Sequence, residues 1–235
     1  MSTAATVPTP SDQHVRLTAL SVDHVTDPNN QQRYQLAIWY LMHARICNPL
    51  DIAFALSAVS QFSHNAGPSH STAVRRIFRY LSGTSTHGIM YGAGVCGGYT
   101  DADWGTGEDR KSIGGYVFLI NRGAISCASK KQTSVASPST EAEYMALTQE
   151  VKESLWLGDL LGDIGALKPR TAIQHIQGHN QGALAITKNC ESQARMKHID
   201  IQYHFIPQHV EQGSIELTYC PTQGITVDIF TKPLP

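Results

Sequence analysis

The feature that most narrows the choice of fold is a change of apolar spacing near residue 93. Before it, from Arg33 to about Leu81, apolar residues recur at helical intervals. Ile52, Leu56 and Val59 share one face, and Val74, Ile77, Phe78 and Leu81 share the face of a later helix, with Pro68 in the turn between. After it the spacing is that of strands: Tyr99 to Trp104, Gly115 to Ile120, and Ala124 to Ser129, the last two joined by a hairpin at Asn121-Arg122-Gly123. The turn formers from Ser82 to Gly88, and the glycines between Gly92 and Gly98, mark the boundary.

Ser139 or Thr140 can cap a long helix whose buried stripe is Tyr144, Leu147, Val151 and Leu155, ending near Gly162 or Gly165. A strand around Ala172 to Gln177, helical segments to about Gln212, a strand at Ile215 to Tyr219 and a closing helix from about Gln223 follow. Three strands, helix, strand, helices, strand, helix is the order of an α/β domain built on a mixed sheet. The chain therefore divides into an extended or loosely ordered arm (1–32) that contributes little core, a helical unit (33–93), and the α/β domain (94–235).

Composition removes several function classes. No run approaches the roughly 18 to 20 apolar residues that cross a bilayer, and Met1-Ser2-Thr3-Ala4-Ala5 lacks the basic and apolar regions of a secretory signal. A cytoplasmic or nuclear protein with no membrane partner is expected. The cysteines Cys47, Cys96, Cys127, Cys190 and Cys220 are scattered, which suits buried reduced thiols better than a zinc site or disulfide framework. With 18 basic and 19 acidic residues the chain has no bulk attraction for nucleic acid, so any such binding needs a local patch. Arg75, Arg76 and Arg79, opposite the apolar stripe of their helix, form one candidate patch or else a solvated face.

The acidic residues offer a candidate metal site. Asp101 and Asp103 lie two apart in a strand and so share a face, opposite Ala102 and Trp104. Glu141 and Glu143 open the long helix about 200° apart around its axis, so only one readily faces the sheet, and periodicity leaves open which. Asp228 stands near the start of the last helix, where the helix terminus favours a carboxylate. A strand Asp, a helix Glu and a late Asp meeting at one sheet edge could hold two hard cations roughly 3.5 to 4 Å apart, one activating water and the other stabilising the leaving oxygen. Solvated surface carboxylates are the plainer reading of the same residues.

The surrounding words resemble a known family. Gly98-Tyr99-Thr100-Asp101-Ala102-Asp103-Trp104, Asp109-Arg110-Lys111-Ser112 with Gly115-Tyr116-Val117-Phe118-Leu119, Ser129-Lys130-Lys131-Gln132-Thr133 and Ser139-Thr140-Glu141-Ala142-Glu143-Tyr144 resemble the ribonuclease H domain of copia-type retrotransposon polyproteins. Lys197-His198-Ile199-Asp200-Ile201, Tyr203-His204-Phe205-Ile206 and Asp228-Ile229-Phe230-Thr231-Lys232-Pro233-Leu234 continue it in the same order. Pro49-Leu50-Asp51-Ile52-Ala53-Phe54-Ala55 and Arg75-Arg76-Ile77-Phe78-Arg79-Tyr80-Leu81-Ser82-Gly83-Thr84 look like the reverse transcriptase thumb or connection segment upstream. The polymerase's paired-aspartate motif has no counterpart, so nucleotide polymerisation is not expected.

The resemblance implies a ribonuclease H-like five-stranded mixed sheet flanked by helices and preceded by a small helical unit. It implies magnesium- or manganese-dependent cleavage of the RNA strand of RNA–DNA hybrids, with Asp101, Glu143 and Asp228 as metal ligands and Asp103 and Glu141 peripheral. The family's fourth ligand is an aspartate in a pattern of the type Cys-Asp-Asn-Gln, where this chain reads Gly178-His179-Asn180-Gln181. His179 thus replaces a carboxylate and removes one negative charge from a site that gathers two divalent cations, which weakens magnesium binding. Impaired catalysis is one expectation; a catalytically silent module that binds nucleic acid or a protein partner is the other. Arg110, Lys111, Lys130 and Lys131 are candidate contacts to a duplex backbone. His175 and His179 make a poor zinc signature, and Pro207 predicts a bend or an early helix end.

Overall fold

The computed structural model describes residues 5–21, 27–47, 50–94, 97–103, 109–133, 139–166, 175–178, 180–188, 200–221 and 226–233. Two compact units divide the chain: Met1–Ile89 with Lys232–Pro235, and Met90–Thr231.

In the first unit, α1 (Pro28–Cys47), a short 3-10 turn (Leu50–Ile52), α2 (Ala53–Ser60) and α3 (Pro68–Gly83) pack together. Their core joins Tyr34, Ile38 and Leu41 to Ile52, Leu56, Val59, Val74 and Ile77, with Phe78 and Leu81 partly buried against it. The apolar stripes read from the sequence are these residues. Pro68 sits at the start of α3 rather than in a turn, where its missing N–H costs no helical hydrogen bond. Residues 5–21 contain neither helix nor strand, yet they are pinned to this unit, and Leu17 packs on its core. His70, fully buried, accepts the Gly67 N–H at Nδ1 (2.9 Å), so Nε2 carries the proton and donates to Thr18 O (3.0 Å). Burial holds this imidazole below its ordinary pKa, against the opposing carbonyl of Thr18.

The second unit is a mixed five-stranded sheet flanked by helices, the ribonuclease H-like arrangement expected. Strands β1 (Gly97–Asp103), β2 (Ile113–Ile120), β3 (Gly123–Lys131), β4 (His175–Gly178) and β5 (Glu216–Tyr219) stand in the order β3-β2-β1-β4-β5. The β1–β2 and β2–β3 pairs are antiparallel, and the β1–β4 and β4–β5 pairs are parallel. Asn121 and Arg122, both at positive φ, form the tight turn between β2 and β3. The long helix α4 (Ser139–Asp163) lies on the sheet and buries Tyr144, Leu147 and Val151 with Ile176, Leu184, Ile206, Ile215 and Leu217. Each of these aliphatic side chains contributes on the order of 1.5 to 3 kcal/mol by leaving water.

Helices α5 (Gln181–Lys188) and α6 (Asp200–Glu211) follow, and a 3-10 helix at Thr226–Phe230 closes the unit. That short helix stands where a closing helix from about Gln223 was expected; residues 222–225 lie outside the described residues. Pro207 does not end α6, which continues to Glu211. Ile206 and Pro207 are both buried, so core packing outweighs the one backbone hydrogen bond a proline forfeits. Cys127 and Cys220 are free but only partly buried, less enclosed than the sequence suggested. No helix among the described residues is long and apolar enough to cross a membrane.

Candidate functional site

β1 is the central strand, and its two faces have different neighbours. Ala102 packs against Ala142 and Ala146 of α4, which fixes that helix close to the strand. Asp101, one residue earlier, takes the opposite face, where the Thr231 hydroxyl hydrogen-bonds its Oδ2. Asp101 is buried, and its register partner across β2 is Gly115. A Cβ on Gly115 would fall 2.8 Å from Phe230 Cβ, so the closing 3-10 helix lies directly over this face. Thr231, fully buried, also donates its N–H to Asp228 O at 3.2 Å, linking the Asp101 carboxylate to the turn that carries Asp228.

Glu141 and Glu143 depart from the geometric expectation that only one would turn inward. Both are buried, Glu141 in the first turn of α4 and Glu143 in the next. The first turn is enclosed by more than the sheet: a Cβ on Gly182, in the first turn of α5, would meet Thr140 at 3.3 Å. Asp103 at the end of β1 is partly buried, and so is Asp228. His179 lies outside the described residues. Its predecessor Gly178 is the register partner of Thr100, the residue before Asp101.

Among the described residues, no group of three or more His, Cys, Asp or Glu side chains is placed to hold a metal ion. The carboxylates selected from the sequence stand on β1, α4 and the closing 3-10 helix. His175 serves the sheet: its Nε2 lies 3.1 Å from Thr218 Oγ1, and its Nδ1 lies 3.5 Å from Glu216 on the neighbouring strand.

The basic candidates separate into two sets. Arg76 pairs with Asp12 at 3.1 Å and also donates to Thr9, while Arg79 donates to Ala5 O at 2.5 Å. Both guanidinium groups hold the chain's own N-terminal segment. Lys131 pairs with Asp109 at 3.0 Å, and that lysine and the Lys111 backbone N–H draw the Asp109 carboxyl below its usual range, despite desolvation acting the other way. Lys111 is partly buried, whereas Arg75, Arg110 and Lys130 are exposed.

Sequence reasoning missed Glu150. It lies two turns beyond Glu143 on α4, is fully buried, and neither carboxyl oxygen has a hydrogen-bond partner. Burial pushes its pKa well above the carboxylate range; the hydroxyl of Thr100 opposes this, yet it closes no hydrogen bond with Glu150. Its position beside the stripe Leu147 and Val151 was the available signal. Thr231 was likewise read only as part of a family word.

No protein-family profile matches the chain. The retrovirus-related Pol polyprotein from transposon TNT 1-94 of Nicotiana tabacum is 37% identical over 241 residues, covering 100% of this chain and 18% of that polyprotein. That from transposon RE1 of Arabidopsis thaliana is 36% identical over 238 residues, covering 100% of this chain and 16% of the relative. The chain belongs to the retrotransposon Pol polyprotein family. It spans less than a fifth of these relatives' length. Among solved structures, LC11-RNase H1, isolated from compost, is 14% identical, with a TM-score of 0.45 and coverage of 58% of this chain and 92% of that one.

Proposed function

We propose that the second unit is a ribonuclease H-type domain for RNA–DNA hybrids in which strand cleavage is weak or lost. The observation that supports it most is the position of Asp101: a buried carboxylate on the central strand, beside the end of the parallel strand β4 after which His179 follows. The family places its first metal-binding aspartate and a second aspartate at these two sequence positions. Substituting imidazole for the second leaves fewer negative charges to offset two divalent cations. Bound, such ions would supply an activated water and a stabilised leaving oxygen. Asp101, Glu143 and Asp228 are the residues of this chain that would hold them.

A catalytically silent module is the second reading, favoured by His179 standing where the family has a carboxylate. The two are separated with a hybrid labelled on its RNA strand, incubated with magnesium and separately with manganese. Residual cleavage that disappears in Asp101→Asn supports the impaired enzyme, and cleavage that appears only in His179→Asp supports the silent module. Absence of cleavage in the parent and in His179→Asp, under both metals, would discard the assignment of these residues.

A further inference from the structure

Between the β2–β3 hairpin and α4 lies a cavity of about 240 Å³, on the sheet face opposite Asp101. Gly114 lies at its edge, where a Cβ would stand 3.2 Å from Ala146 of the helix. Its walls are of two kinds. Tyr116 and Met145 offer broad apolar surfaces, while Lys130, Lys131, Gln132 and Gln149 surround them with polar groups.

The polar groups specify the ligand's charge and hydrogen bonding. Lys131 is already neutralised by Asp109 at 3.0 Å, whereas Lys130 makes no ion pair among the described residues. One positive charge is therefore available, which matches a phosphodiester better than a doubly charged phosphomonoester. Gln132 donates its Nε2 to Ala142 O at 2.7 Å, which fixes the amide so that its buried Oε1 is left without a partner. A buried acceptor of this kind costs stability until a donor arrives. The occupant should thus bring a donor, a flat apolar face and a single negative charge. At about 240 Å³ the cavity is below the roughly 300 to 1,000 Å³ of sites for larger ligands, and it suits one planar unit.

We infer that this cavity binds one unpaired nucleotide of a nucleic-acid strand, its base against Tyr116 and Met145, its phosphodiester at Lys130 and its amine or hydroxyl donor at Gln132. Choosing a nucleotide over another planar anion rests on the hybrid-binding reading above. The base's π-face supplies sequence-tolerant contact, and the lysine adds a salt-dependent one. Such a subsite would retain a single-stranded end beside the duplex, whether or not the carboxylates cut.

The test uses the full chain and fluorescence anisotropy with three labelled probes: a blunt RNA–DNA hybrid, the same hybrid with a short single-stranded extension, and the extension alone. The extension is expected to tighten hybrid binding about tenfold or more, the worth of one stacked base. Lys130→Ala should remove most of that gain and reduce the salt slope of the extended probe by about 0.7. Met145→Trp, which fills the cavity without changing charge, should remove the gain as well. If the blunt hybrid binds and the extension adds nothing, or the gain survives both variants, the subsite is refuted while the hybrid reading stands. If the extension alone binds with the same dependence on Lys130 while the blunt hybrid does not, the subsite stands and the hybrid reading falls. Binding of none of the three probes overturns both.

Discussion

Glu150→Leu is expected to stabilise the second unit by about 2 kcal/mol or more at neutral pH, because it removes a carboxyl whose two oxygens find no partner in the interior. The side chain occupies space that a Cβ on Gly98 would enter, 2.6 Å from Glu150 Oε1 and 2.5 Å from the Phe118 ring. Leucine fills a similar volume without the polar atoms. A pH signature should accompany the gain. Burial raises the pKa of Glu150 in the folded chain well above the ordinary value, whereas the unfolded chain releases the proton above about pH 4.3. Native Glu150 therefore binds more protons than unfolded Glu150, and its contribution to stability declines as pH rises from that value through the folded pKa. Hydrogen exchange of β1 and α4 amides at pH 5 and pH 8, corrected for intrinsic rates, reads this directly. The decline should disappear in Glu150→Leu and in Glu150→Gln. Parallel profiles in the parent and both variants would mean that the carboxyl is not held neutral against β1.

The residues involved show which features the sequence made legible. Strand spacing marked β1, β2 and β3, and a 3.6-residue period marked the long helix, where Tyr144, Leu147 and Val151 repeat an apolar stripe. Strand order and the two faces of β1 depend on pairing between distant segments, which periodicity does not encode. That Asp101 and Ala102 face different neighbours followed from alternation, but that Thr231 reaches Asp101 across 130 positions did not. Glu150 escaped notice for a related reason. Beside an apolar stripe a glutamate reads as the solvated edge of a helix, and only the close approach of Gly98, Thr100 and Phe118 encloses it. Arg76 and Arg79 show the reverse case. Their spacing suggested a phosphate-binding face, yet the N-terminal segment supplies Asp12, Thr9 and Ala5 as internal partners. Their loss should therefore release that segment before it affects any nucleic acid.

The closing 3-10 helix gives the other large expected effect. Gly115→Ala should destabilise the second unit by about 3 kcal/mol, the scale of re-exposing one or two large apolar side chains. The new methyl would lie 2.8 Å from Phe230 Cβ, 2.9 Å from Thr231 Cγ2 and 3.3 Å from the Phe230 carbonyl carbon. The first and third of these atoms belong to the backbone or its root, so no rotamer change relieves the clash and the short helix must lift. Val227, Phe230 and Thr231, all buried now, would lose their cover, and the Thr231 hydroxyl would withdraw from Asp101. Gly158→Ala provides the contrast: a Cβ at this position inside α4 meets nothing within 4 Å, so improved helix propensity should stabilise by about 0.5 to 1 kcal/mol. Thermal unfolding measures both, and exchange of the Thr231 amide, which donates to Asp228 O at 3.2 Å, reports the local change. Because Asp101 and Gly115 face the same way from paired positions, the alanine variant tests whether the closing turn holds the carboxylate in place. If Gly115→Ala unfolds like the parent and Thr231 stays protected, the turn does not cover Asp101, and Asp228 has no route to that face of the sheet.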